Sequence, residues 1–147
     1  MISEIMDESF CRINVTVKDW EDCVRQSGKI LLENGCVEQS YIDDMVNVVN
    51  EYGPYIVIMP GVCLAHARPE AGAKKIGVSV MTLAEPVYFG NPDNDPVTLV
   101  LGLAAIDNNS HLDVIKDAVK FLSDESIEKI HQCKTAKELS DHLKSFD

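Results

Sequence analysis

Residues 97–106 read VTLVLGLAAI, ten residues with no charge and a single hydroxyl. A strand with one wet face would alternate polar and apolar residues, whereas a strand covered on both faces reads as a continuous apolar run. Such a strand belongs in the middle of a sheet with further layers above and below it. The rest of the chain must supply neighbouring strands and the helices that cover them.

It contains the patterns to do so. Residues 12–17 (RINVTV) alternate and predict a half-buried strand; residues 55–59 predict a compact buried one and residues 75–84 (KIGVSVMTLA) another strand. Residues 85–96 form a turn-rich connection with a short strand around 87–89. Residues 2–11 suit a short acidic helix. Asp19 can cap a helix running to about Asn34, with Trp20, Val24, Leu31 and Leu32 on one face and Gly35 as its stop. Ser40 with Asp43 resembles a capping box for a second helix that places Ile42, Met45, Val46 and Val49 at helical spacing and ends near Gly53.

Beyond the apolar strand, the stretch from Asp107 to Ser110 offers several caps for a helix burying Leu112, Ile115, Val119 and Leu122. Acid after Ser123 suits the start of another helix, and Thr135-x-x-Glu138 is a capping box for the last one, ending around Phe146. No repeat, linker or low-complexity run interrupts this. The expected architecture is one α/β domain over residues 1–147, a mixed sheet of four or five strands flanked by helices on both faces.

Charge and cysteine usage narrow the function. A formal net charge of −11 lacks the basic footprint that nucleic acid or anionic lipid requires. The N-terminus carries acid where a secretory signal carries base, and no segment approaches the roughly 18 apolar residues of a membrane helix, so a cytoplasmic protein without membrane insertion is expected. Five widely spaced cysteines without a C-x-x-C pair read as thiols in a reducing compartment.

The chemistry concentrates in residues 57–72 (VIMPGVCLAHARPEAG), where His66, Arg68 and Glu70 follow an apolar run within five residues. Ionisable groups placed among apolar strands are costly to bury without partners or a task, and strand ends in open α/β sheets are where ligand sites form. His111 also lies just past an apolar strand, in the first turn of a helix. If the two strands are parallel neighbours, both imidazoles open on one sheet edge. There, two histidines, an arginine and a helix start make a site for a phosphoryl group. His131 and His142 lie among Lys, Glu and Gln in amphipathic helices and are expected to face water.

Plainer roles stand beside these. His111 could be a capping or solvent-facing residue, and Arg68 could pair with Glu70. A metal hydrolase would need His66, His111, Asp93 and Asp95 to converge, although D-N-D-P reads more simply as a turn. Cys63 as a nucleophile would point to the opposite face from His66, three residues on.

The motifs H-x-R-P-E-x-G (66–72), F-G-N-x-D-N-D-P-V (89–97) and A-A-x-D-x-N-x-H (104–111) together resemble the IIA component of the bacterial sugar phosphotransferase system. The similarity is to the mannitol/fructose superfamily and its ascorbate-type branch, and runs from about Trp20 to Leu143. It implies an α/β sandwich and a phosphotransferase with no cofactor and no metal. Such a protein takes a phosphoryl group from the phosphocarrier HPr onto a histidine and passes it to a cysteine of a IIB component, which works with a membrane IIC.

Carried onto this chain, the resemblance makes His66 the acceptor and His111 the second active-site histidine. Relatives commonly have Pro-His-Gly where this chain has Ala65-His66-Ala67. Mannitol-type members place an arginine upstream of the histidine, where this chain has Asn50-Glu51, so Arg68 is the candidate for the charge role. Some relatives are regulatory phospho-acceptors not coupled to transport, which leaves that role as an alternative. A protein meeting two protein partners through one histidine is expected to present a shallow apolar rim around it, built from residues such as Val62 and Leu64.

Overall fold

The computed structural model describes residues 1–147. In chain order it contains α1 (Ile2–Ile5), a 3-10 turn (Glu8–Phe10), β1 (Cys11–Val15), α2 (Trp20–Glu33), α3 (Gln39–Tyr52), β2 (Val57–Met59) and β3 (Val62–Ala65). A second 3-10 turn (Pro69–Ala71), β4 (Gly77–Val87), β5 (Val97–Ala104), α4 (Asn108–Val119), α5 (Asp124–Gln132) and α6 (Ala136–Lys144) complete it.

The five strands form one mixed sheet in the order β1-β4-β5-β3-β2. The uncharged run is its middle strand, as a two-faced strand should be. It pairs antiparallel with β4 and parallel with β3, in a register that sets Val62 against Leu99 and Ala65 against Gly102. Both faces are covered. Arg12 and Met81 line a groove with Arg25 and Lys29 of α2, while the preceding Cys11 turns the other way, toward the charge of Lys144 on α6.

Local chemistry sets the helix ends. Asp19 accepts from the Asp22 N–H, Asp107 from Ser110, Ser123 from Ser126 and Thr135 from Glu138, so four helices start on side-chain caps. Gly35 follows α2 at φ 73°, in the left-handed region that favours glycine.

Several expectations are corrected. The first segment is one helical turn plus a 3-10 turn, and of the expected strand at 87–89 only Val87 is in a strand, as the last residue of β4. Ser40 and Asp43 do not form a capping box. The helix is capped two residues earlier, at Glu38, and starts at Gln39, so Ser40 lies in its first turn and donates instead to the Ala71 carbonyl. In α4 the buried face is Val114, Ala118 and, just past its end, Phe121, leaving Leu112 and Val119 exposed. His142 does not face water: it is half-buried, with Nε2 2.9 Å from Ser126 Oγ and its ring edge-on to Phe146.

The sheet meets α2 at Gly102. A Cβ there would collide with Ser79 Oγ and approach the Ser27 carbonyl to 3.3 Å, and Ser79 already donates to that carbonyl. Gly102→Val should therefore cost about 1–3 kcal/mol through overpacking. A thermal melt reads this as a drop of several degrees, and an unchanged midpoint would refute the close approach.

Candidate functional site

The parallel pairing of β3 with β5 brings the two strands out at the same sheet edge. His66 is the first residue beyond β3, and His111 sits in the first turn of the helix after β5. The condition attached to the two histidines from sequence is thus met. Their ring centroids lie 5.4 Å apart, with planes inclined by 54°. Tyr55, which precedes β2, stands edge-on to His66 at 6.0 Å.

These side chains line an open cleft of about 230 Å³, with Arg68 and Asn108 at its rim and Val48 of α3 on its wall. A larger groove of about 500 Å³ lies between β1 and α2, but it is lined by charges of both signs and has no histidine. The paired imidazoles mark the smaller cleft as the chemical site.

The imidazole of His66 is held by its own strand. Nδ1 lies 2.8 Å from the Leu64 carbonyl oxygen, which can only accept, so Nδ1 carries the proton and Nε2 keeps a free lone pair. Burial pulls the pKa of His66 below its ordinary value. The Leu64 hydrogen bond opposes this, and His111 adds to it.

Tyr41 anchors the loop that carries His66. Its buried hydroxyl accepts from the Ala67 N–H at 3.1 Å and donates to the Leu103 carbonyl at 2.7 Å, tying the loop after β3 to the end of β5. A tyrosine on an apolar helical face carries no cue in the sequence to which carbonyl its hydroxyl will reach, so this role is legible only in the fold.

Arg68 is 69% exposed and does not pair with Glu70. Its Nη2 lies 3.8 Å from Asp44 Oδ1, another residue that the sequence did not single out. The α3 residue reaching the cleft is Val48; Asn50 and Glu51 are exposed.

The rival readings lose their geometry. Asp95 accepts from the N–H groups of Phe89, Gly90 and Asn91, so D-N-D-P is a turn. No three His, Cys, Asp or Glu side chains converge as a metal site. Cys63 is fully buried, and burial raises its thiol pKa well above the ordinary range, which leaves it inert as a nucleophile. The expected rim is also corrected. Val62 and Leu64 are buried core residues, because β3 is covered on both faces. Of the exposed apolar side chains, Tyr55 lines the cleft, Leu112 follows His111 in the chain, and Ile106 lies between β5 and α4.

Comparison with known proteins bears on this geometry. The family model described as phosphoenolpyruvate-dependent sugar phosphotransferase system, EIIA 2, matches residues 4–146. The ascorbate-specific PTS system EIIA component of Salmonella typhimurium is 34% identical over 139 residues, 93% of this chain and 90% of its own. The solution structure of the mannitol-specific cryptic phosphotransferase enzyme IIA from Escherichia coli superposes with a TM-score of 0.88 at 33% identity, covering 98% of both chains. The complex of enzyme IIA and phosphorylated enzyme IIB for mannitol from Escherichia coli matches with a TM-score of 0.82 at 26% identity, over 95% of this chain and 97% of that one.

Tyr41→Phe should lower stability by about 1–3 kcal/mol, since it leaves the buried Ala67 N–H and Leu103 carbonyl without partners. Denaturant titration measures the loss. A variant as stable as the parent would show that the hydroxyl does not anchor this loop.

Proposed function

Since this chain belongs to the EIIA 2 family of the phosphoenolpyruvate-dependent sugar phosphotransferase system, a phosphoryl relay in sugar uptake, we propose that His66 Nε2 is the atom that carries the phosphoryl group. The observation that carries this reading is the Nδ1–Leu64 contact, which leaves a single lone pair facing an open cleft. Phosphorylated HPr presents its phosphoryl group in that cleft. The Nε2 lone pair forms the new N–P bond as the bond from phosphorus to the donor's side chain breaks, and the departing donor group keeps that electron pair.

Phosphorylation at Nε2 with Nδ1 still protonated leaves positive charge on the His66 ring, and the Leu64 carbonyl stabilises it. Phosphoryl transfer demands alignment and charge stabilisation more than covalent chemistry. Arg68 offers a fork of N–H donors to the phosphoryl oxygens, and His111 one further donor. In the second step the thiolate of the IIB cysteine attacks phosphorus, and His66 leaves as a neutral imidazole.

The likeness to ascorbate-specific EIIA components supports a IIB and membrane IIC of an ascorbate-type transporter as the next partners, with the relay working in the cytoplasm. No helix of this chain is long and apolar enough to cross a membrane. Exposed Tyr55 on the cleft, with Ile106 and Leu112 exposed on either side of residues 107–111, offers apolar surface that both protein partners can meet in turn. Acid around it would speed encounter with a basic carrier.

The test is to phosphorylate the protein with HPr and map the acid-labile phosphate by mass spectrometry. Wild type should carry it on His66, and His66→Ala should carry none; label retained in that variant refutes the assignment. His111→Ala should still be labelled, but about ten- to a hundredfold more slowly, the worth of one charge-assisted hydrogen bond.

A pH profile gives an independent check. The nucleophile is neutral His66, and its folded pKa lies below 6.5. The fall in rate at His66 on acidification should come at lower pH than for an ordinary histidine. The stability linked to this group follows the same sign, present above the unfolded pKa and lost as pH falls through the folded one. A rate already halved at pH 7.5 would contradict a depressed pKa.

A further inference from the structure

Asp44 Oδ2 is the one buried side-chain oxygen or nitrogen in the molecule without a hydrogen-bond partner. Buried polar atoms are nearly always satisfied, so an orphan acceptor beside a reaction site calls for a physical reason. The neighbouring residue makes the contrast. Asp43, on the outer face of α3, is exposed and accepts from Arg25 at 2.9 Å and Gln39 at 3.3 Å. Asp44 turns inward, with its carboxylate only 19% exposed. Its charge is felt by the phenols of both Tyr41 and Tyr55, the residues that anchor the His66 loop and flank its ring.

The one cation near Asp44 is Arg68, at 3.8 Å from Oδ1 and largely in solvent. An ion pair so long and so exposed contributes little stability by itself. A guanidinium, however, has five N–H donors on more than one edge and can serve two anions together. We propose that Asp44 is a positioning residue: it holds Arg68 over the cleft, and its unfilled Oδ2 receives a second guanidinium N–H when Arg68 closes onto the phosphoryl group at His66. The opposite edge of the guanidinium then faces the phosphoryl oxygens. Asp44 itself touches neither His66 nor phosphate.

This arrangement differs from a catalytic arginine acting alone. Without Asp44, Arg68 would have to be fixed from solvent at the moment of transfer, losing the rotamer freedom of a long side chain. With Asp44, part of that ordering is done beforehand, and the carboxylate also orients the fork. Val48 on the cleft wall is apolar and offers no competing donor or acceptor. The inference rests on His66 as the phosphoryl acceptor and adds the residue that makes Arg68 effective there.

The experiment is a double-mutant cycle on the rate of phosphoryl transfer from phosphorylated HPr, using the full chain. Arg68→Ala and Asp44→Asn should each slow transfer about tenfold, and the double variant should also be about tenfold slower, not a hundredfold, because the two residues act as one unit. Asp44→Glu should recover part of the rate. In nitrogen-15 spectra, the Arg68 Nε–H signal should shift on phosphorylation of wild type and stay unshifted in Asp44→Asn. Asp44→Ala gives a second variant with the same expectations should Asp44→Asn fold poorly.

Losses that multiply in the double variant, or a wild-type rate in Asp44→Asn, overturn the proposal. Mapping the phosphate in every variant separates the two levels. Phosphate on a residue other than His66 defeats the acceptor assignment, whereas phosphate on His66 with independent losses defeats only the role of Asp44.

Discussion

Everything at the site depends on the parallel pairing of β3 with β5. Hydrogen bonds between these strands hold Ala65 level with Gly102, so the residue after β3 and the helix after β5 emerge at the same edge. Because β3 is apolar and buried on both faces, burial alone does not choose between registers one residue apart. The backbone pairing with β5 therefore sets the height at which His66 leaves the sheet. The Tyr41 hydroxyl adds a second constraint by joining Ala67 to the Leu103 carbonyl, so the loop cannot swing away from β5.

That mechanical arrangement determines the chemistry. A relay histidine needs a free lone pair, a fixed ring and access for two different proteins. The Leu64 carbonyl selects the tautomer, partial burial keeps the ring neutral, and the open cleft leaves Nε2 reachable. A deep pocket would suit a small substrate, but it would exclude a protein donor and a protein acceptor. The apolar rim comes from loop and helix residues outside the sheet, where side chains can be exposed without opening the core.

Legibility in the sequence follows the range of the interactions. The two-faced character of β5, the Asp19 cap, the helix start after Ser123 and the apolar stripe of α3 rest on neighbours within a few residues and read correctly. Of the Thr135–Glu138 capping box only the Thr135 half forms, Glu138 accepting instead from the Lys134 N–H. The errors arise where one pattern fits two outcomes. In α4 the stripe 112/119 and the stripe 114/118/121 are both apolar, and only the position of the sheet decides which is buried. Ser40 can cap a helix or donate to a distant carbonyl, and Ala71 claims it. His142 lies among charged residues, yet Ser126 and Phe146 enclose it.

The sequence by itself determined the α/β class, the central strand and the motifs around His66, Arg68 and His111, because burial patterns and family motifs are properties of contiguous residues. Only the tertiary structure decided that β3 and β5 run parallel side by side and that Tyr41 holds the loop. It also decided that Arg68 faces Asp44 rather than Glu70, and that Val62 and Leu64 are core rather than rim. Each of these contacts joins residues more than twenty positions apart or depends on which sheet face is covered. A linear pattern contains no information on either until the layers have packed.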